Sequence, residues 1–183
     1  MSSHMRQAFW TTAALSVVLV ASASCRSETR ATADKSQDSS ALKKSAPVPP
    51  AAGKYTLRDF ARLGWLVASW RGRLPDGSSF YERYRWLDDS TIKMRSFKDD
   101  TFSKATDSAR ITLRAGTVAD EGGARWLATR LDSTGVDFAS EHDASNNFTW
   151  ARESRNSWKA VLNSIDRNGK AQTVVYPMQR IGR

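Results

Sequence analysis

Cysteine is nearly absent: the 183 residues hold one, Cys25. A single cysteine forms no internal disulfide, so no covalent bridge braces the fold. Histidine is almost as scarce, and His142 is the only one beyond the first few residues. That excludes a zinc site built from several histidines, and no second cysteine is at hand to replace them. A haem needs one axial histidine, so His142 keeps that class open, but neither haem nor another cofactor is expected. No G-x-S-x-G segment occurs, and no His/Asp order suits a catalytic triad. No glycine-rich loop is placed to cradle phosphate; Gly122-Gly123 reads as a turn. Asp99-Asp100, Asp107 and Asp120-Glu121 lack the ladder spacing of a calcium loop and read as solvated turn acids. The expectation from these absences is a protein that is not an enzyme and holds no metal.

Charge of one sign is also not gathered anywhere in the chain. The formal net charge is +9. Residues 55–183 carry 5 of it, with acids scattered among the bases. Nucleic-acid binders cluster Lys and Arg on one face, and no comparable block appears, so no nucleic-acid partner is expected. Attraction to an anionic membrane surface is the milder consequence of such a charge.

What is present begins with a targeting pattern over residues 1–24. Arg6 gives a positive start, Phe9 to Val20 is apolar apart from Thr11, Thr12 and Ser16, and Ala21-Ser22-Ala23-Ser24 is a run of small residues. This is the three-part pattern of a secretory signal. The apolar run falls short of the roughly 20 residues a spanning helix needs. Cys25 follows directly and resembles the lipid-modified cysteine of bacterial lipoproteins. That resemblance implies export, lipidation of Cys25, and anchoring at the outer membrane facing the periplasm. Ser22 stands where such signals carry an aliphatic residue, and Ala21-Ser22-Ala23 also fits ordinary cleavage after Ala23. Residues 25–54 are rich in Ser, Ala, Thr, Lys and Pro, with Leu42 and Val48 as their larger aliphatics. They bury too little to offset their ordering entropy and read as a disordered tether.

Residues 55–183 read as one domain. Thr56 to Leu66 has helical spacing, with Thr56 as N-cap and Asp59 three residues on. The period then changes to two. Alternating runs include Phe80 to Leu87, Ile92 to Arg95, Ala109 to Ala115, Trp126 to Leu131, Val136 to Ser140, Phe148 to Arg152, Trp158 to Ile165 and Thr173 to Ile181. Pro75-Asp76-Gly77-Ser78, Asp88-Asp89-Ser90, Asp120-Glu121-Gly122-Gly123 and Asp166-Arg167-Asn168-Gly169 punctuate them as turns. About nine short strands at this spacing predict a mainly β fold, an antiparallel up-and-down meander closing as a barrel behind a short N-terminal helix.

Leu63-Gly64-Trp65-Leu66-Val67-Ala68-Ser69-Trp70-Arg71-Gly72 resembles the L-x-W-L-x-G-x-W-x-G opening of a family of small exported bacterial proteins known as a domain of unknown function. Tyr81-Glu82-Arg83-Tyr84-Arg85-Trp86 is similar to its acidic–aromatic strand. Phe138-Ala139-Ser140-Glu141-His142-Asp143 resembles a degenerate copy of its F-x-N-x-x-H-D-F-P segment. The resemblance spans residues 60–181 and implies a lipocalin-like β-barrel with an internal cavity.

The candidate ligand-binding residues are Trp70, Glu82, Tyr84, Trp86, Trp126, Trp150 and His142. If Phe80, Glu82, Tyr84 and Trp86 face inward, Glu82 is a carboxylate inside an aromatic barrel, with Arg95, Arg130 or Arg152 as its charge partner. If the faces are reversed, Tyr81 and Leu87 are buried instead. The tryptophans either line a pocket or simply form core. His142 pairs with Asp143 only within a turn, since neighbours on a strand point to opposite faces. The functional expectation is a membrane-anchored barrel holding a small apolar or amphipathic ligand in a cavity of a few hundred Å3. The alternatives are a filled barrel acting as an interaction module of the cell envelope, and a haem-binding or enzymatic barrel using His142.

Overall fold

Thr56 caps the first helix. Its hydroxyl accepts the Asp59 amide, and the Asp59 carboxylate accepts the Thr56 amide at 3.0 Å. This reciprocal cap nucleates one α-helical turn, α1 (Leu57–Phe60), which tightens into a 3-10 helix over Ala61–Leu66. The computed structural model describes residues 54–142, 146–166 and 168–182. Cys25, the targeting pattern and the tether lie outside the described residues.

Ten strands follow: β1 (Ser69–Arg73), β2 (Ser79–Asp88), β3 (Thr91–Phe97), β4 (Ala105–Arg114), β5 (Thr117–Gly122), β6 (Ala124–Leu131), β7 (Gly135–Ser140), β8 (Asn147–Arg152), β9 (Ser157–Ile165) and β10 (Ala171–Ile181). Each pairs antiparallel with the next, and β10 returns to β1, closing the barrel. The closing register runs from Ser69 opposite Ile181 to Gly72 opposite Met178. Pro177 lies one residue past the point where β1 stops pairing, so its missing N–H breaks no ladder bond on that side.

Aspartates set many of the turns. Asp76, Asp88, Asp99 and Asp132 each accept the backbone amide and the hydroxyl of a Ser or Thr two residues on. The short side chain stands in for a backbone acceptor and fixes the reversal. Glycine works by absence of bulk. A Cβ on Gly72 would lie 2.0 Å from the Phe80 ring, and one on Gly135 would lie 2.2 Å from the Trp150 carbonyl oxygen. The ring of Phe80 therefore occupies the space that a side chain on Gly72 would fill.

Alternation sorts the strands into an apolar interior and a polar exterior. On β2 the inward set is Phe80, Glu82 and Tyr84, while Arg85 is exposed. The helical segment closes one end: Phe60, Leu63 and Leu66 are fully buried there with Ile92, Val118 and Val136. Burial of this size is the main favourable contribution to a domain that has no disulfide. The Trp70 indole N–H donates to the Leu66 carbonyl at 2.7 Å and ties this plug to β1.

Candidate functional site

The other half of the barrel is not filled. A cavity of about 100 Å3 lies among β2, β3, β5, β6, β8, β9 and β10. It is smaller than the few hundred Å3 expected from the sequence, because large rings occupy the interior. Trp158 sits at the centre of its floor, with edge-to-face contacts to Trp65, Trp70, Tyr84 and Trp150 at centroid distances of 5.7–6.3 Å. Phe148 stands against Trp126 at 5.2 Å and stacks on Phe138 at 4.7 Å to build one wall. Edge-to-face pairs of this kind hold rings in defined places.

Polar groups enter this wall at a few points. Glu82 on β2 is 8% exposed, and the Tyr84 hydroxyl, two residues on and on the same face, donates to its Oε2 at 2.7 Å. Ser96 on β3 stands opposite Glu82 in the ladder. Asp120 on β5 is also 8% exposed and stands opposite Trp126 on β6. Burial raises the Tyr176 phenol above its ordinary pKa, so it stays a neutral hydroxyl at physiological pH. The described residues lining the cavity include two carboxylates and no Lys, Arg or His.

Of the residues singled out from the sequence, Glu82, Tyr84, Trp126 and Trp150 line the cavity. Trp70 does not; it lies below, within the core, at 1% exposure. Trp86 does not either. It pairs with Ile92 just before a register shift near the end of β2, is 38% exposed and packs edge-on to Phe60 at 5.7 Å. His142 lies in the connection after β7, its side chain 84% exposed and its Nε2 3.9 Å from Glu141. It points at neither the cavity nor a cofactor-sized site, and Asp143 lies outside the described residues. The arginines expected to partner Glu82 sit elsewhere. Arg130 pairs with Asp132 and Asp137, and Arg95 and Arg152 are exposed.

Asp120 corrects the sequence reading of a solvated turn acid. The turn begins later, at Gly123, and Asp120 belongs to β5, a strand the spacing argument did not count. Its signal was the shared parity of Val118 and Asp120 in the run that ends at the Gly122-Gly123 pair. Trp158, one of the tryptophans read as either pocket or core, also borders the cavity, and Ser96 lines it without having been singled out.

Two carboxylates, hydroxyls and rings thus line the cavity. Among the described residues no group of three His, Cys, Asp or Glu side chains comes together to hold a metal ion. No family model and no curated protein matches the chain. Among solved structures, a redesigned β-barrel protein is similar at 11% identity over 66% of this chain and 96% of that one, with a TM-score of 0.32. The fold described above stands on its own strand pairing.

Proposed function

We propose that the protein is an envelope lipoprotein whose barrel holds a small amphipathic ligand. The observation that carries the binding half is the ring-lined cavity with Glu82, Tyr84 and Asp120 in its wall. Binding sites are mostly apolar concavities with a few polar groups that fix orientation, and this one has that composition. Its size selects a compact ligand, or the compact head of a longer one. Trp158 supports the reading: it borders the cavity at 1% exposure, and its indole N–H has no hydrogen-bond partner among the described residues. Buried donors are ordinarily satisfied, and a ligand oxygen would satisfy this one.

The anchoring half rests on sequence. A signal pattern ending in small residues, a lone cysteine directly after it and a polar tether of about 30 residues together suit a lipid anchor with a spacer. In this reading the membrane is the partner, reached through lipid on Cys25.

Native mass spectrometry of the full chain tests both halves at once. A lipid-sized covalent addition that disappears in Cys25→Ser supports the anchor, and an unmodified Cys25 removes it. A reproducible non-covalent mass that survives purification supports the ligand. A bare mass, with no small molecule that alters the tryptophan emission, moves the assignment to an interaction module.

A further inference from the structure

Away from the cavity, arginines gather in a second hollow. An open groove of about 680 Å3 runs along β1, β2 and the end of β10, bordered by part of the connection between β3 and β4. Arg71, Arg83, Arg85 and Arg180 all line it. They come from three strands, so no run of the sequence shows them together. Register does it instead. Ser69 is the ladder partner of both Arg83 and Ile181, and Arg71, paired with Tyr81, stands diagonal to Arg83. Diagonal neighbours on one face are within reach of long side chains. Arg180 follows from the next ladder position, with its guanidinium over the Trp70 ring at 6.0 Å. Among the described residues none of the four arginines is in an ion pair, and neither is Asp100, the one carboxylate in the described lining.

Arg83 is held in place rather than left to solvent. Its side chain is half-buried, and its Nε donates to the Ser69 hydroxyl at 3.0 Å. Its guanidinium carbon lies 4.1 Å from the centre of the Phe102 ring and 5.5 Å from that of Phe97. Phe102 reaches this place with a φ of 53°, a left-handed backbone that is disfavoured for a residue with a Cβ. Edge-on contacts to Phe97 at 5.0 Å and Tyr81 at 6.2 Å keep its ring there. With Nε engaged and both rings against it, the guanidinium is fixed while its two terminal amino groups have no acceptor among the described residues. Burial, and then the charge of Arg85, lower the Arg83 pKa, the direction that marks a cation short of counter-charge.

Like charges on one sheet face repel, and an anion seated among them turns that repulsion into attraction. The guanidinium fork matches the oxygens of phosphate and of carboxylate. A carboxylate brings one charge, whereas a phosphate monoester brings close to two, on three acceptor oxygens. Four arginines against one exposed acid favour the more highly charged group. We infer that the groove binds a phosphate-bearing anion, a phosphate monoester or diphosphate, with Arg83 as its fixed fork and Arg71, Arg85 and Arg180 around it. The groove is separate from the cavity, so this site stands whatever the interior of the barrel holds.

Pyrophosphate titrated into the full chain at constant ionic strength, followed by heat, is expected to saturate. Arg83→Lys keeps the charge but loses the fork, and is expected to weaken binding about tenfold. Arg71→Gln removes an exposed cation and is expected to weaken it about threefold or more. Because Arg71 is exposed, that variant reads the site even where Arg83→Lys disturbs the packing on Phe102. Arg110→Gln removes a base of β4 that does not line the groove, and is expected to leave binding unchanged. Absence of saturable binding overturns the site. So does an affinity that both groove variants leave unaltered, or one that Arg110→Gln weakens as much as they do, since diffuse surface charge then accounts for it. Phosphatidylcholine vesicles with and without phosphatidic acid separate the sources of the phosphate. Competition with pyrophosphate only by the vesicles that contain phosphatidic acid identifies a lipid head group; competition by neither identifies a soluble phosphate compound.

Discussion

At Asp132 one carboxylate serves four donors. Oδ1 accepts from the Thr134 amide, the Thr134 hydroxyl and the Gly135 amide, and Oδ2 accepts from Arg130. The Thr134 hydroxyl above all, with its amide and Arg130, holds this carboxyl down at about 2 against the opposing effect of burial. The folded-state pKa thus lies below the unfolded value of about 3.9, so the ionised form stabilises the fold. That contribution is complete above about pH 4 and is lost as pH falls through about 2. Melting temperatures between pH 5 and pH 2 should therefore fall less steeply in Asp132→Asn than in the unaltered chain. Parallel curves would mean that Asp132 adds nothing. The turn aspartates are legible in sequence because a short side chain two residues before Ser or Thr acts locally. Asp120 was not legible, since whether an acid ahead of Gly-Gly belongs to a turn or to a strand depends on the partner it pairs with.

Among the elements, β2, β3 and β4 present an unfavourable row. Arg85 stands opposite Lys93, and Lys93 opposite Arg110. Arg83 stands opposite Arg95 in the next row. Like charges directly across a ladder are destabilising, whereas opposite charges contribute about 0.2–1 kcal/mol per pair. Glu121 on β5 stands opposite Arg110 on its other side, but among the described residues no close ion pair relieves Arg85, Lys93 or Arg110. Lys93→Glu should therefore stabilise the barrel by about 1 kcal/mol in urea unfolding at low salt, with the gain shrinking as salt screens it. A neutral or destabilising result would show that the row relaxes without cost. The composition gave no hint of this patch, because its members are separated by 8 to 17 residues in sequence and meet only through register. The helix is legible in its start and less so in its course: the cap forms as expected, but after Phe60 the Val67 amide bonds Gly64 three residues back, and the segment runs as 3-10.

Among the described residues the barrel turns mostly apolar side chains inward and most of its charged ones outward. This is the inverse of a membrane-inserted barrel, whose outward faces form an apolar band. Closure joins residues at the two ends of the domain, with Ser69 opposite Ile181. Such non-local pairing requires long loops to close before contacts reward them, which slows folding. Refolding of the chain, followed by tryptophan emission after dilution from urea, should take milliseconds to seconds. Completion within microseconds would be inconsistent with closure as the rate-limiting event.

By itself the sequence determined the alternation, the turns and the helix cap, and hence a meander of short strands behind one helical turn. These features rest on neighbours within a few residues, where propensity and hydrogen bonding act directly. It also offered Glu82, Tyr84, Trp126 and Trp150 as candidate wall residues, but periodicity left open which face of each strand turns inward, and the closed barrel decided it. Only the tertiary structure decided that Trp70 is core, that Trp86 packs on Phe60 away from the cavity, that His142 faces solvent, and that Asp120 shares a chamber with Glu82. Each of those depends on where the barrel begins and ends and on which strands stand across its interior, and no periodicity within a single segment encodes that.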